Sequence, residues 1–311
     1  MANPRSVPDL RKALVLLFLL CALALLPFLG LGGYLLNIMV MIFIYVVLAV
    51  SLDLVMGWAG QVSFAHAAFF GIGAYTTAIM QRDFGTGFWL NLPAAMVMAG
   101  LCGFLLGLPA LRLRGHFLAI VTIAFQTIVY LALSQWTSFT GGQYGIEVSS
   151  VSGFASIERF YYLAFGLSLA TVVVSWLVTH SRLGMAWQAV RDDEVLAQAI
   201  GLNTTASKLA AFVLAAAFAG AAGVLVAHHI RGVTPDDFTI LTSATIVAMV
   251  VIGGRGTVWG PLLGAVVFMA LPELLGAAAR YKLIIYGLLM IVMVTMMPQG
   301  VFGVWARRRQ K

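Results

Sequence analysis

The chain has 311 residues, 62% of them hydrophobic and only 9% charged, with a mean hydropathy of +1.00. That is more apolar surface than a soluble core of this size can bury, so a soluble domain is excluded and the excess must face lipid. The net charge of +7 then reports orientation in a membrane rather than affinity for nucleic acid.

Long, nearly uncharged runs predict an all-α fold, a polytopic helical membrane protein. About 20 apolar residues cross the hydrocarbon core as a helix, and the alternating strands of an outer-membrane barrel are missing. Arg5, Arg11 and Lys12 precede the run "ALVLLFLLCALALLPFL" at 13–29. It resembles a signal peptide, with Ala-Leu-Ala near its end, but it is long for one and Tyr34 opens another span at once. A retained first helix is expected, with residues 1–12 in the cytoplasm. Further segments follow at 34–56, 66–80, 88–109, 116–135, 160–179, 208–229, 240–252, 261–275 and 283–299. The third, eighth and ninth are short, which predicts about 8–10 crossings with one or two broken or re-entrant helices. Residues 13–303 form one transmembrane domain and 304–311 a basic tail.

With the N-terminus inside and every segment crossing, only Arg82, Arg159, Arg231, Arg280 and Lys282 of the eighteen Lys and Arg residues fall outside. This imbalance places both termini in the cytoplasm. Eight crossings with two re-entrant segments would leave the termini on the same side. Cys21 and Cys102 lie inside apolar runs and predict free, buried thiols.

The stretch "GWAGQVSFAHAAFFGIGAY" follows Asp53 at the end of the second span. It sets Gln61, Ser63 and His66 among Gly57, Gly60, Gly71 and Gly73. Irregular backbone at membrane depth needs protein or a water-filled cavity around it. A helix starting near Ser63 would aim its N-terminal amides into such a cavity and suit a carboxylate. Asp53, Gln61, Ser63 and His66 are therefore candidates to line a translocation path; close helix packing explains the same residues as well. "GGRGTVWGPLLG" repeats the Gly-rich pattern in the second half. His228 and His229 are adjacent and share no helical face, so no metal site is expected.

Residues 136–159, rich in Gly and Ser, form an outer loop. Residues 180–207 form an inner one containing "MAWQAVRDDEVLAQAIG", the most charged stretch between two spans. As a helix it aligns Met185, Ala189, Leu196 and Ile200 on one face. Asp192 or Asp193 could cap a second short helix beginning near Glu194, with Gly201 ending it. A solvated loop, an interfacial helix and a docking element for a soluble partner all fit, although an interfacial helix prefers Lys and Arg where this one has acids.

The chain contains no G-x-x-x-x-G-K-[S/T] phosphate loop, so no ATP site and no cofactor of its own is expected. Asp53 and Glu273 are the only acids placed to serve an ion-coupled carrier or channel. Ser63 and His66 lack the third group an intramembrane enzyme would need.

Five stretches in order, "GWAGQVSFAHAAFFGIGAY", "LRLRGHFLAIVTIAF", "TGGQYGI", "SRLGMAWQAVRDDEVLAQAIGLNTTASKLAAF" and "VIGGRGTVWGPLLGA", resemble the permeases of ABC importers for branched-chain amino acids. The resemblance implies that Arg191, Asp192, Asp193, Glu194, Ala197 and Gly201 belong to a coupling helix seated in a groove of an ATPase subunit. Val195 and Leu196 stand where that family usually has two alanines. It further implies a second permease subunit, two ATPases that use the ATP, an extracytoplasmic binding protein and a bacterial inner membrane. The implied solute is leucine, isoleucine or valine; related permeases carry urea, short amides, sugars or nucleosides.

Overall fold

A computed structural model of the chain describes residues 23, 25–29, 32–110, 116–151, 153–154, 156–275 and 287. The predicted first segment is thus described only at Leu23 and Leu25–Leu29, and the tenth only at Gly287. Residues 1–12, the tail 304–311, Cys21 and the side chain of Glu273 lie outside the described residues.

The described chain is helical and follows the predicted segments closely. The described α-helices longer than four residues are α1 (Gly33–Asp53), α2 (His66–Phe84), α3 (Phe88–Ala110), α4 (His116–Gln135), α5 (Ile157–Thr179), α6 (Arg182–Asp192), α7 (Glu194–Ala199), α8 (Thr204–Ile230), α9 (Ile240–Gly253) and α10 (Trp259–Leu275). Five spans among the described residues are long and apolar enough to cross a membrane: Gly33–Trp58, Phe88–Pro109, Phe117–Gln135, Ile157–Thr179 and Thr204–Ile230. The chain is a multi-pass membrane protein.

These five are not equivalent. In the apolar stretch of α1 and of α8, 78% and 72% of the residues are buried, against 33%, 28% and 28% in α3, α4 and α5. In lipid every span is apolar, so burial follows from packing rather than from composition, and α8 is the inner post, packed on α1, α2 and α3. Small residues let it approach so closely. A Cβ on Gly73 would lie 2.3 Å from the Gly220 carbonyl, and one on Gly223 would lie 2.3 Å from the Phe70 carbonyl. Such contacts replace the hydrophobic drive that lipid does not supply between helices.

The third predicted segment is not broken. It is the continuous 19-residue α2, and the irregular backbone precedes it, between Trp58 and His66. The eighth and ninth are short, as expected. At ~1.5 Å per residue, the 14 residues of α9 fall well below a full crossing. α9 and α10 form a tight pair turning at 254–258, where Gly254 and Gly256 take φ +115 and +73.

One departure from a purely helical chain occurs at the far end of the bundle. Ile146–Glu147 pairs antiparallel with Gly232–Val233, Ile146 opposite Val233 and Glu147 opposite Gly232. Gly141, Gly142 and Gly145, all at positive φ, turn the 136–156 loop back onto the end of α8. A side chain at Gly145 would drive its Cβ to 1.9 Å from the Val233 carbonyl.

Candidate functional site

The polar segment 180–207 folds into two helices with a break at Asp193 between them. Ser181 caps α6, its hydroxyl accepting from the Leu183 N–H at 3.2 Å. Asp193 caps α7, its carboxylate accepting from the Val195 and Leu196 N–H groups at 2.9 and 3.0 Å. Of the two aspartates considered as caps, Asp193 is the one used, because it is the residue with extended backbone (φ −154) between the helices. Gly201, at φ +86, closes α7 in the left-handed conformation that glycine adopts without strain.

The predicted coupling residues divide between two directions. Trp187, Val190 and Ala197 are buried against the membrane domain, with the Trp187 indole N–H donating to the Ser207 carbonyl at 2.8 Å. Glu194 turns inward as well and meets the buried ammonium of Lys208 at 2.7 Å. Arg191 reaches the end of α1, where its Nη1 donates to the Gly57 carbonyl at 2.8 Å. Met185, Val195, Leu196 and Ile200 point away, 61%, 65%, 61% and 68% exposed. Asp192 is exposed as well, with a side chain 69% accessible that accepts from the Arg191 guanidinium at 3.1 Å. The segment therefore has a fixed inner face and an apolar outer face rimmed by an acid.

Asp53 belongs to the same place. It is buried at the last turn of α1, and its Oδ1 accepts from the Gly256 N–H at 2.9 Å. Beyond it α1 widens into a π-turn over Leu54–Trp58, a rare form that is frequent at functional positions. The two Gly-rich segments, separated by almost 200 residues of chain, thus touch. Glycine is required on both sides: a Cβ on Gly57 would lie 2.0 Å from Asp53 Oδ1 and 2.2 Å from the Gly256 nitrogen. Arg191 fills the remaining gap, its Cγ 2.7 Å from where a Gly60 Cβ would stand and its Nη1 3.1 Å from that of Gly256.

The other candidate path residues are not part of this junction. His66 begins α2 and is buried, its Nε2 bonded to the Ser51 hydroxyl of α1 at 2.8 Å. Ser63 is buried and accepts from the Ala65 N–H at 3.3 Å; Gln61 is half-buried and donates to the Ala59 carbonyl at 3.3 Å. Two amides near the start of α2 meet protein hydroxyls. The Phe64 N–H donates to Thr122 Oγ1 at 3.1 Å and the Ala67 N–H to Ser243 Oγ at 2.9 Å. Ser243 donates to Gln126 Oε1 at 3.3 Å, and Gln126 Nε2 to the Phe238 carbonyl at 2.6 Å.

Residues 34–294 match the family described as branched-chain amino acid transport system / permease component. The chain belongs to that family. The high-affinity branched-chain amino acid transport system permease protein LivM of Escherichia coli K12 is 37% identical over 285 residues, covering 83% of this chain and 67% of the relative. LivM of Salmonella typhimurium is 36% identical over 292 residues, covering 85% and 69%. The permease protein LivH of Escherichia coli K12 is 26% identical over 284 residues, covering 83% and 91%. No solved structure matches the chain significantly.

In this permease component, sequence reasoning missed the buried network of Thr122, Gln126 and Ser243. The signal was present: Thr122 and Gln126 stand four apart on a predicted span, hence on one face, and polar groups at that depth require partners. It also missed Lys208 as the partner of Glu194.

Proposed function

We propose that this chain is a membrane-spanning subunit of a bacterial ABC importer for branched-chain amino acids. It would work with a second permease subunit, two ATPase subunits and an extracytoplasmic binding protein. In this reading the chain lies in the inner membrane with both termini in the cytoplasm, moves the solute without transforming it, and leaves ATP to its partners.

The observation that carries the reading is the two-faced inner segment. Four large apolar side chains, Met185, Val195, Leu196 and Ile200, stand exposed on a short helix pair. That pair is held to the membrane domain by Arg191, Trp187 and the Glu194–Lys208 ion pair. A solvated connector would leave these groups polar, whereas a helix that docks in a groove offers apolar anchors on a rigid mount. The family names of the relatives, all transport permeases for branched-chain amino acids, support the solute class.

The test is co-purification of the subunits. The wild-type chain should retain the ATPase subunits through detergent extraction. V195D and L196D should release them while leaving the permease folded, since an exposed substitution costs the chain itself about 0.5 kcal/mol or less. Retention of the ATPases by both variants would reject α7 as the dock.

A further inference from the structure

We infer that Arg191 is the positioning residue that carries the movement of the inner helix pair into the membrane domain, acting on the Gly57 and Gly256 turns rather than on the ATPase. The inference deepens the reading above and rests on it.

Two distant parts of the chain converge on this side chain, and its own neighbour holds it from a third direction. The first is the end of α1, where the Gly57 carbonyl accepts from Nη1 at 2.8 Å. The second is the turn between α9 and α10, where Gly256 lies against the same nitrogen. The third is Asp192 of α6 itself, which holds the other edge of the guanidinium at 3.1 Å. Asp53 closes the triangle by bonding the Gly256 N–H at 2.9 Å, so that α1 and the α9–α10 turn shift together. A guanidinium suits this task because its planar fork addresses two partners at fixed angles, which an ammonium on a flexible stem does not.

The surroundings are built to yield. The backbone Arg191 grips is a π-turn with its ladder already widened, flanked by Gly60 at φ +71. The opposite turn carries Gly254 and Gly256, both at positive φ, and joins two short helices rather than two full crossings. Irregular, glycine-bearing connections are where an element can change direction without breaking a helix. The remaining anchors of the helix pair behave differently. Trp187 and Lys208 tie it to the start of α8, the post at the centre of the bundle. Of the anchors described here, Arg191 alone bonds the backbone of one Gly-rich segment and lies beside the other.

The experiment uses the complete complex, permease pair with ATPases and binding protein, reconstituted in proteoliposomes with labelled leucine inside a saturated binding-protein pool. Solute moved and ATP hydrolysed are measured on the same vesicles. Co-purification of the wild-type subunits comes first, and its failure would remove the reading above rather than this inference. Given an assembled complex, R191A should raise the ATP hydrolysed per leucine moved at least tenfold, and R191K should raise it by a smaller factor. A purely structural residue would lower assembly, hydrolysis and uptake in parallel and leave that ratio where it was. An unchanged ratio in both variants overturns the inference. Loss of assembly in both assigns Arg191 to the fold and overturns it equally.

Discussion

At Gly57 the chain offers no room for a single carbon. Its Cβ would stand 2.0 Å from a carboxylate oxygen of Asp53 and 2.2 Å from the Gly256 nitrogen, and the second of these is backbone. G57A should therefore cost about 1–3 kcal/mol, the range for overfilling a packed site, read as a lower unfolding temperature in detergent. G166A is its control: Gly166 sits on an exposed stretch of α5 with nothing within 4 Å of its Cβ, so the variant should unfold at or above the wild-type temperature. The ion pair of Glu194 and Lys208 gives a second residue-scale expectation. Lys208 keeps only 4% of its side chain exposed, so E194Q strands a charge; with Glu194 itself 23% exposed, the loss is discounted to about 2 kcal/mol. Adding K208M should restore most of it, because the double variant buries no unpaired ion, and urea or thermal melts of the three variants would check the order.

Hydrophobic runs located the spans well, because a lipid-facing helix has to be apolar along its length whatever it packs on. The described helices α1 to α5 and α8 to α10 begin and end within a few residues of the segments predicted from the sequence. Direction was harder to read. Arg191, Asp192, Asp193 and Glu194 are consecutive, and a pattern of charge cannot say which of them turns inward. The answer depended on Asp193 leaving helical conformation and on Gly57 and Lys208, distant in sequence, supplying the partners. The same limit applied around His66, whose partner Ser51, like the Thr122 and Ser243 hydroxyls that meet the Phe64 and Ala67 N–H groups, is fixed by how helices cross rather than by spacing. At this scale S243A should leave the Ala67 N–H and Gln126 Oε1 without their partner. The expected cost is about 1–3 kcal/mol, seen as lower thermal stability with co-purification of the proposed ATPase partners unchanged.

For the molecule as a whole, the inner helices α1, α2 and α8 form a rigid centre, and the polar segment of α6 and α7 hangs from it at one end. The α9–α10 turn meets that segment at Arg191, so an outside force applied to the exposed face of α7 has a continuous route to the irregular backbone beside Asp53. No phosphate loop exists in the sequence to generate such a force from within. The most direct measurement is leucine accumulation in proteoliposomes holding this chain and its partner permease, with and without the ATPase subunits and binding protein. The account predicts no accumulation from the permeases alone and ATP-dependent accumulation in the full complex that V195D or L196D abolishes. Accumulation by the permeases alone, or undiminished uptake after the face of α7 has been made acidic, would contradict it.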